Sequence, residues 1–361
     1  MVRMPPTSAP PRSRVASIAR AAAGAWPAVL AALVAFLLGR AVPTVSPLLW
    51  AMALGIVVAN SPLMPRQGLR GVQGSAKTML RLGIVALGAL LSWSALRGLG
   101  LSGLLVIVLT VLAVFFLTCW IGDRLGLPRG LVTLTAAGFS ICGAAAIAAV
   151  EGSIRRRDQD VPLALAMVTI FGTVMTFTVP FLGSALGLSP QDVGVWVGAS
   201  IHEVAQVVVA ASLVGGAAAA AVAGSAVTAA TTVKLGRVAL LVVAYLAAVH
   251  RHRGPGDAAA HRGEPPGSET RPTLRLRAFL PWFLVGFVLM ALARSLGLIP
   301  EVALDPITTV GTFLLAAGMF GLGLDIRVST LFPLPPAVLG LSAASTGIAL
   351  VVPLLLLQLP I

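Results

Sequence analysis

Cysteine is nearly missing from this chain: Cys119 and Cys142 are the only two, each inside an apolar stretch. Neither a disulfide framework nor a zinc site built on paired cysteines is supported, and the redox compartment is unreadable from them. Lysine is as scarce, with Lys77 and Lys234 alone, so the excess of 25 basic over 12 acidic residues is almost wholly arginine. Those arginines collect at the ends of apolar runs, where topology determinants sit, which argues against a nucleic-acid partner. Histidine is sparse too, His202 being the only one outside 250–261. No HExxH, GxSxG, Walker A or GxGxxG occurs in a fitting context. The chain is therefore expected not to be an enzyme, to hold no metal and no cofactor, and not to be an ATP-driven pump unless a separate subunit supplies the motor.

Charge as a whole is thin, at 10% of residues against 58% hydrophobic, and the mean hydropathy is +0.98. A water-facing surface cannot carry that composition, so lipid must solvate it. A helix crossing about 30 Å of hydrocarbon needs roughly 20 apolar residues, which allows about ten or eleven crossings and no large soluble domain. Breaks at Pro, Gly and charge clusters give eleven candidate spans near 21–39, 46–60, 78–96, 101–121, 130–150, 162–184, 192–214, 226–249, 278–297, 304–323 and 333–356. The basic, Pro-rich start resembles the front of a signal peptide, yet 21–39 is long enough to span and is read as a retained first helix. The hydrophilic connection 250–277, with Arg251, Arg253, Arg262, Arg271, Arg275 and Arg277, reads as a disordered cytoplasmic loop.

With Arg3, Arg12, Arg14 and Arg20 inside, eleven spans also put Arg66, Arg70 and the 250–277 loop inside and the C-terminus outside. One loop disagrees: Arg155, Arg156 and Arg157 fall outside. Either it is an exception, helped by Glu151, Asp158 and Asp160, or one span is re-entrant; the exception is preferred at this stage.

An internal repeat accompanies the eleven spans. Leu80-Arg81-Leu82-Gly83-Ile84-Val85-Ala86-Leu87 aligns with Val233-Lys234-Leu235-Gly236-Arg237-Val238-Ala239-Leu240, matching a basic residue and a glycine as well as apolar positions. The expected fold is an all-α polytopic membrane protein of about eleven transmembrane helices. Residues 1–45 would form an N-terminal segment with an extra helix, followed by two five-helix copies, 46–185 and 190–361, the second carrying the polar loop 250–277. Five being odd, the copies are inverted, a recurring plan of secondary transporters with the site near the midplane.

Three segments carry the polar chemistry. In Gly138-Phe139-Ser140-Ile141-Cys142-Gly143-Ala144-Ala145-Ala146, Gly138 and Gly143 weaken a helix where no water can repair its backbone. Either the helix breaks there, and Ser140, Ile141, Cys142, Gly143 and Ala144 offer free N–H groups and a positive dipole end to an anion, or these small residues pack against a neighbour. The tenth span holds the partner that the repeat implies, with Gly311 and Gly318 as helix breakers and Thr312 as a second anion contact. In the seventh span, Gly198-Ala199-Ser200-Ile201-His202-Glu203-Val204-Ala205-Gln206 puts His202 and Gln206 on one helical face. Polar side chains inside a span point to a cavity or an ion path, or else to interhelical hydrogen bonding. Glu203 is the candidate proton carrier, His202 a candidate to share that role or to contact substrate. In the third, Thr231–Arg237, Lys234 neutralises an anion, pairs with Glu203 or snorkels to the interface as an anchor, while Lys77 and Arg81 in the first copy are anchors or anion contacts. Asn60 reads as a helix C-cap.

At these motifs the sequence resembles the YeiH-type family of bacterial inner-membrane proteins, which carries a sulfate-exporter label. The resemblance runs from about Leu48 to Leu324 and rests on Leu54-Gly55 with Asn60, the Lys77–Gly88 segment, Gly138–Gly143, Gly198–Glu203 with Ala205-Gln206-Val207, and Val233-Lys234-Leu235 with Arg237. It implies a secondary anion transporter related in plan to the bile-acid sodium symporter and NhaA-like folds, with two discontinuous helices crossing near the midplane, here the fifth and tenth spans. Many relatives carry Asp where this chain has Glu203, which keeps the charge and lengthens the reach. The expected function is ion-coupled transport of a small anion (sulfate, sulfite or an organosulfonate) across the bacterial inner membrane, N-terminus cytoplasmic and C-terminus periplasmic. Alternatives are a cation/proton antiporter and a non-transporting sensor or assembly subunit. Expected partners are the anion, a coupling proton or sodium ion, membrane lipid and at most a second copy in a homodimer.

Overall fold

The computed structural model describes residues 14–42, 47–61, 66–91, 93–214, 220–252, 282–324, 326 and 334–359. Arg3, Arg12 and the 253–281 part of the polar connection lie outside the described residues. The helices are α1 (Arg14–Ala41), α2 (Pro47–Asn60), α3 (Arg66–Leu87), α4 (Trp93–Gly98), α5 (Gly100–Arg124), α6 (Arg129–Ser140), α7 (Ala144–Val150), α8 (Asp160–Ala185), α9 (Pro190–Ser200), α10 (Val204–Ser212), α11 (Ala220–Ala239), α12 (Leu241–Arg251), α13 (Trp282–Ser295), α14 (Glu301–Gly323) and α15 (Pro336–Leu357). Among the described residues, five helical stretches are long and apolar enough to cross a membrane: Gly100–Arg124, Asp160–Ala185, Ser225–Arg251, Glu301–Gly323 and Pro336–Leu357. Large apolar side chains such as Leu101, Phe116, Trp120, Phe177 and Phe181 face outward, while Lys234 and Arg237 are wholly buried. That reversal of the water-soluble pattern is the signature of a protein solvated by lipid.

The helices pack as two bundles. One contains α1, α2, α3, α13 and α14; the other contains α5 to α12 and α15. Small residues set the close approaches in the first, as helix packing in lipid requires. Gly83 meets Leu315, Gly318 meets Leu80, Gly321 meets Ala76 and Gly311 meets Ala86, so α3 and α14 run antiparallel. Asn60, expected to cap its own helix, reaches from Ile56 O (2.8 Å) to Ile326 O (3.0 Å) and ties α2 to the end of α14.

Two of the eleven expected spans, the fifth and the seventh, are hairpins. In the first, α6 and α7 are joined by the turn 141–143, and Gly130 at the start of α6 lies against the backbone of Arg155 and Arg156 beyond α7. The segment thus returns to the face it left. That face also holds the end of α12, through the Arg251–Asp123 ion pair and the Thr133–His252 contact (3.0 Å). Arg155–Arg157 were expected to be an exception on the far face; they share this one with Arg251, because the preceding segment turns back.

The second hairpin follows from chain length. Gly194 lies on Ala226 and Gly198 on Ala230, so α9 runs alongside α11 in the same direction, and its end at Ile201 meets Lys234. Ala220 precedes Lys234 by fourteen residues (234 − 220), roughly 21 Å back along α11. Had α10 continued onward, residue 214 would lie about 15 Å beyond the tip and some 36 Å from Ala220. The six peptide steps from 214 to 220 reach at most about 21 Å. Hence α10 doubles back, and it packs on α8 in register with that return, Gln206 on Gly172 and Thr173. The first hairpin enters from the face that holds the start of α8, the second from the face that holds its end.

The tenth span corrects a further expectation. Helix α14 runs unbroken from Glu301 to Gly323, and Gly311 and Gly318 are notches for Ala86 and Leu80, not breaks. The discontinuous partner of the fifth span is therefore the seventh. The halves 46–185 and 190–361 consequently carry their broken elements in different places, late in the first and at the start of the second.

Candidate functional site

The two hairpin tips meet in the interior. At the first, α6 ends at Ser140, Ile141 takes φ −111°, ψ −91°, and Gly143 takes φ 72°, ψ −126°, a conformation that favours glycine. At the second, α9 is started by Ser189, whose Oγ accepts from Asp192 N, with Pro190 in the first turn. It ends at Ser200; Ile201 and Glu203 have extended backbone, and the chain bends at His202 and Glu203 into α10.

A helix end leaves carbonyls without partners, and inside lipid each must find a donor. Helix α11 supplies two. Lys234 Nζ donates to Ile141 O and to Ile201 O, both at 2.7 Å. Arg237 donates from Nε and Nη2 to Ser140 O (3.0 and 2.8 Å) and from Nη2 to Phe139 O (2.9 Å). Its Nη1 serves Gly198 O (3.1 Å), Ala199 O and Ile201 O (3.3 Å). Both cations are fully buried, and both stand at the negative dipole ends of α6 and α9. Lys234 was expected to neutralise a substrate or pair with Glu203; at least two of its donors serve the chain's own backbone instead.

The opposite ends, where α7 and α10 begin, present N–H groups. Glu203 Oε1 accepts from Ala144 N at 2.7 Å, so a carboxylate of the second tip holds the first turn of the first. Glu203 and Cys142 also line a narrow, mostly apolar cavity between the bundles, completed by Ala145, Val204 and Val238 and by Leu48, Leu80, Ile84, Leu87, Leu315 and Met319 of the other bundle. Lys77 crosses the same boundary near one face, 2.7 Å from Glu151.

His202 and Gln206 lie elsewhere. The His202 ring packs on Phe139 (centroids 4.4 Å apart), fully buried, with no well-aligned hydrogen-bond partner for either nitrogen among the described residues. Gln206 Nε2 reaches Thr173 Oγ1 at 3.3 Å, and its Oε1 has no partner among the described residues. The structure thus brings together Ser140 to Ala144, His202, Glu203, Gln206 and Lys234, with Glu203 on the cavity and His202 and Gln206 among α6, α8 and α9. Thr312 is not among the residues lining this cavity, and its hydroxyl donates to Thr308 O (2.8 Å) within unbroken α14. Arg81 stacks over Phe283 (5.7 Å) and stands apart as well.

Arg237 is the residue that sequence reasoning missed as a site member. The signal was present: Gly138-x-Ser140-Ile141 recurs as Gly198-x-Ser200-Ile201, sixty residues on (198 − 138), at the two tips. Two like helix ends call for two donors, and Lys234 and Arg237 sit one helical turn apart.

The model of the family described as conserved hypothetical protein 698 matches residues 25–340. A UPF0324 membrane protein of Corynebacterium glutamicum is 37% identical over 302 residues, covering 84% of this chain and 82% of its own length. The UPF0324 inner membrane protein YeiH of Salmonella typhimurium is 35% identical over 305 residues, and that of Escherichia coli 34% over 306, each covering 81% of both chains. No solved structure matches.

Proposed function

The chain belongs to the conserved hypothetical protein 698 family, and from that premise and the geometry of the tips we propose that it is an ion-coupled secondary transporter of a small anion. The observation that carries this reading is the meeting of two opposed hairpins at a cavity between two bundles. Irregular backbone is tolerated at membrane depth only where it is buried or lines a cavity, and opposed broken elements around a midplane site are how alternating access is built. In this reading the hairpin bundle moves against the bundle of α1 to α3, α13 and α14, breaking contacts such as Lys77–Glu151. The anion binds at the cavity-facing starts of α7 and α10, where the Glu203 carboxylate on Ala144 N already marks an anion position. Sulfate, sulfite and organosulfonates are the candidate substrates, and no covalent chemistry is involved.

The same reading carries a topology. Counting α1, α2, α3, α5, α8, α11 with α12, α13, α14 and α15 as crossings gives nine, with both hairpins re-entrant. Arg124, Arg129, Arg155 to Arg157 and Arg251 then share the cytoplasmic face, and Arg40, Arg97 and Arg294 fall on the other, in accord with the positive-inside rule. The N-terminus is cytoplasmic and the C-terminus periplasmic.

The test is solid-supported-membrane electrophysiology on proteoliposomes with a panel of oxyanions and sulfonates. A current that depends on substrate and saturates with concentration is expected for at least one of them. Currents driven only by alkali cations would favour an antiporter, and silence across the whole panel would favour a non-transporting membrane component.

A further inference from the structure

The carbonyls at the two tips form a cage. Phe139, Ser140 and Ile141 from the first hairpin and Gly198, Ala199 and Ile201 from the second point their oxygens at one small region, and Lys234 and Arg237 fill it. The two oxygens that Lys234 holds are equivalent: Ile141 and Ile201 occupy the same position in the repeated Gly-x-Ser-Ile motif. A single ammonium at 2.7 Å from both therefore bridges the hairpins at matched points. In transporters built from broken helices, unwound carbonyls and half-helix C-terminal ends are the groups that coordinate a coupling sodium ion. Here the same type of donor set is engaged by a cation that is covalently part of the chain.

We infer that Lys234 is a tethered cation in a carbonyl cation site, holding the two hairpin tips together so that no sodium ion is needed at the crossing. This deepens the transporter reading and rests on it for the word coupling, but the cation site itself stands on the backbone geometry. Three features set this contact apart from an ordinary side-chain hydrogen bond. The oxygens come from both hairpins, so removing the charge disconnects two elements at once. Arg237 supplies further N–H donors beside it and cannot swing over, since its own donors serve five of the same carbonyls. The nearby carboxylate, Glu203, has Oε1 on Ala144 N and forms no ion pair with Lys234 within 4 Å among the described residues, so the close contacts of the ammonium are the carbonyl oxygens of Ile141 and Ile201.

The test follows thermal unfolding of the purified full chain in detergent, in sodium, lithium, methylammonium and choline chloride at one ionic strength. Wild type is expected to unfold at the same temperature in all four. Lys234→Ala is expected to unfold several degrees lower in choline, and to regain most of the loss in sodium or methylammonium, small cations that fit between the vacated carbonyls. A Lys234→Ala protein indifferent to every cation overturns the inference. So does a wild type stabilised selectively by sodium, an arm that stands even if the variant cannot be purified. No substrate is needed, so a failure here is distinguishable from a silent oxyanion panel.

Discussion

At the first tip the chain places Cys142, Gly143 and Ala146; at the second the matching positions hold His202, Glu203 and Gln206. The backbones follow one plan, each a half-helix ending on Lys234 and Arg237 and a second half-helix leaving toward the face of entry. The chemistry is divided. The first tip contributes shape: Gly143 at φ 72° exposes Ala144 N, and a side chain at Gly143 would run into the Glu203 carboxylate. The second contributes side chains. A pair of elements with matched backbones can thus share one structural solution, the buried cations, and still differ in what they offer a ligand.

The largest way to break the comparison is to remove what the tips share. Arg237→Met leaves the carbonyls of Phe139, Ser140, Gly198 and Ala199 without this donor, in a fully buried position. Hydrogen bonds to a charged group contribute about 1.5–3 kcal/mol each, so a loss above about 3 kcal/mol is expected. Size-exclusion in detergent should give aggregated or unfolded protein, with Arg237→Lys intermediate. A monodisperse Arg237→Met protein of near wild-type stability would mean the two tips do not depend on a shared cation.

What the tips do not share is tested by a double-mutant cycle. Gly143→Ala forces a side chain into a glycine-only backbone conformation, at a cost of about 1–3 kcal/mol, and presses on Glu203. In a Glu203→Ala background the backbone strain persists and the collision does not. The cost of Gly143→Ala should then fall by about 1 kcal/mol, the coupling typical of residues in contact. Thermal or denaturant unfolding of the four proteins measures it; equal costs in both backgrounds would uncouple the tips.

Much of this was legible in the sequence and some was not, for definable reasons. The first break could be read from Gly138, Ser140 and Gly143, since glycines flanking a hydroxyl weaken a helix that water cannot repair. The polar run Ser200–Gln206 could be read as buried function, since such residues are costly in lipid. The second break was assigned to the tenth span because glycine has two uses there, and Gly311 and Gly318 serve the other one, close helix packing. The turn-back of the fifth span was visible only as a conflict, the arginines 155–157 set apart from the other basic loops, since hydropathy records how many apolar residues a segment has and not where it turns. The role of Lys234 was signalled only by the recurring Gly-x-Ser-Ile motif, because its partners are backbone carbonyls, which sequence does not otherwise distinguish from one position to the next.

The smallest structural change carries the sharpest functional question. Sequence alone left both His202 and Glu203 as proton carriers; the geometry separates them. His202 is sealed against Phe139, whereas Glu203 lines the cavity and holds Ala144 N at 2.7 Å. Glu203→Gln keeps an oxygen to accept from Ala144 N and nearly the same volume, so it should cost under about 1.5 kcal/mol, the scale of one neutral hydrogen bond. It cannot exchange a proton. If protonation of Glu203 is what frees the Ala144 N–H for the anion, the variant should still carry substrate but with a flat pH profile in proteoliposome currents, while His202→Asn keeps the wild-type profile. An unchanged profile in Glu203→Gln, with currents intact, would remove Glu203 from the coupling role and leave it as a link between the two hairpins.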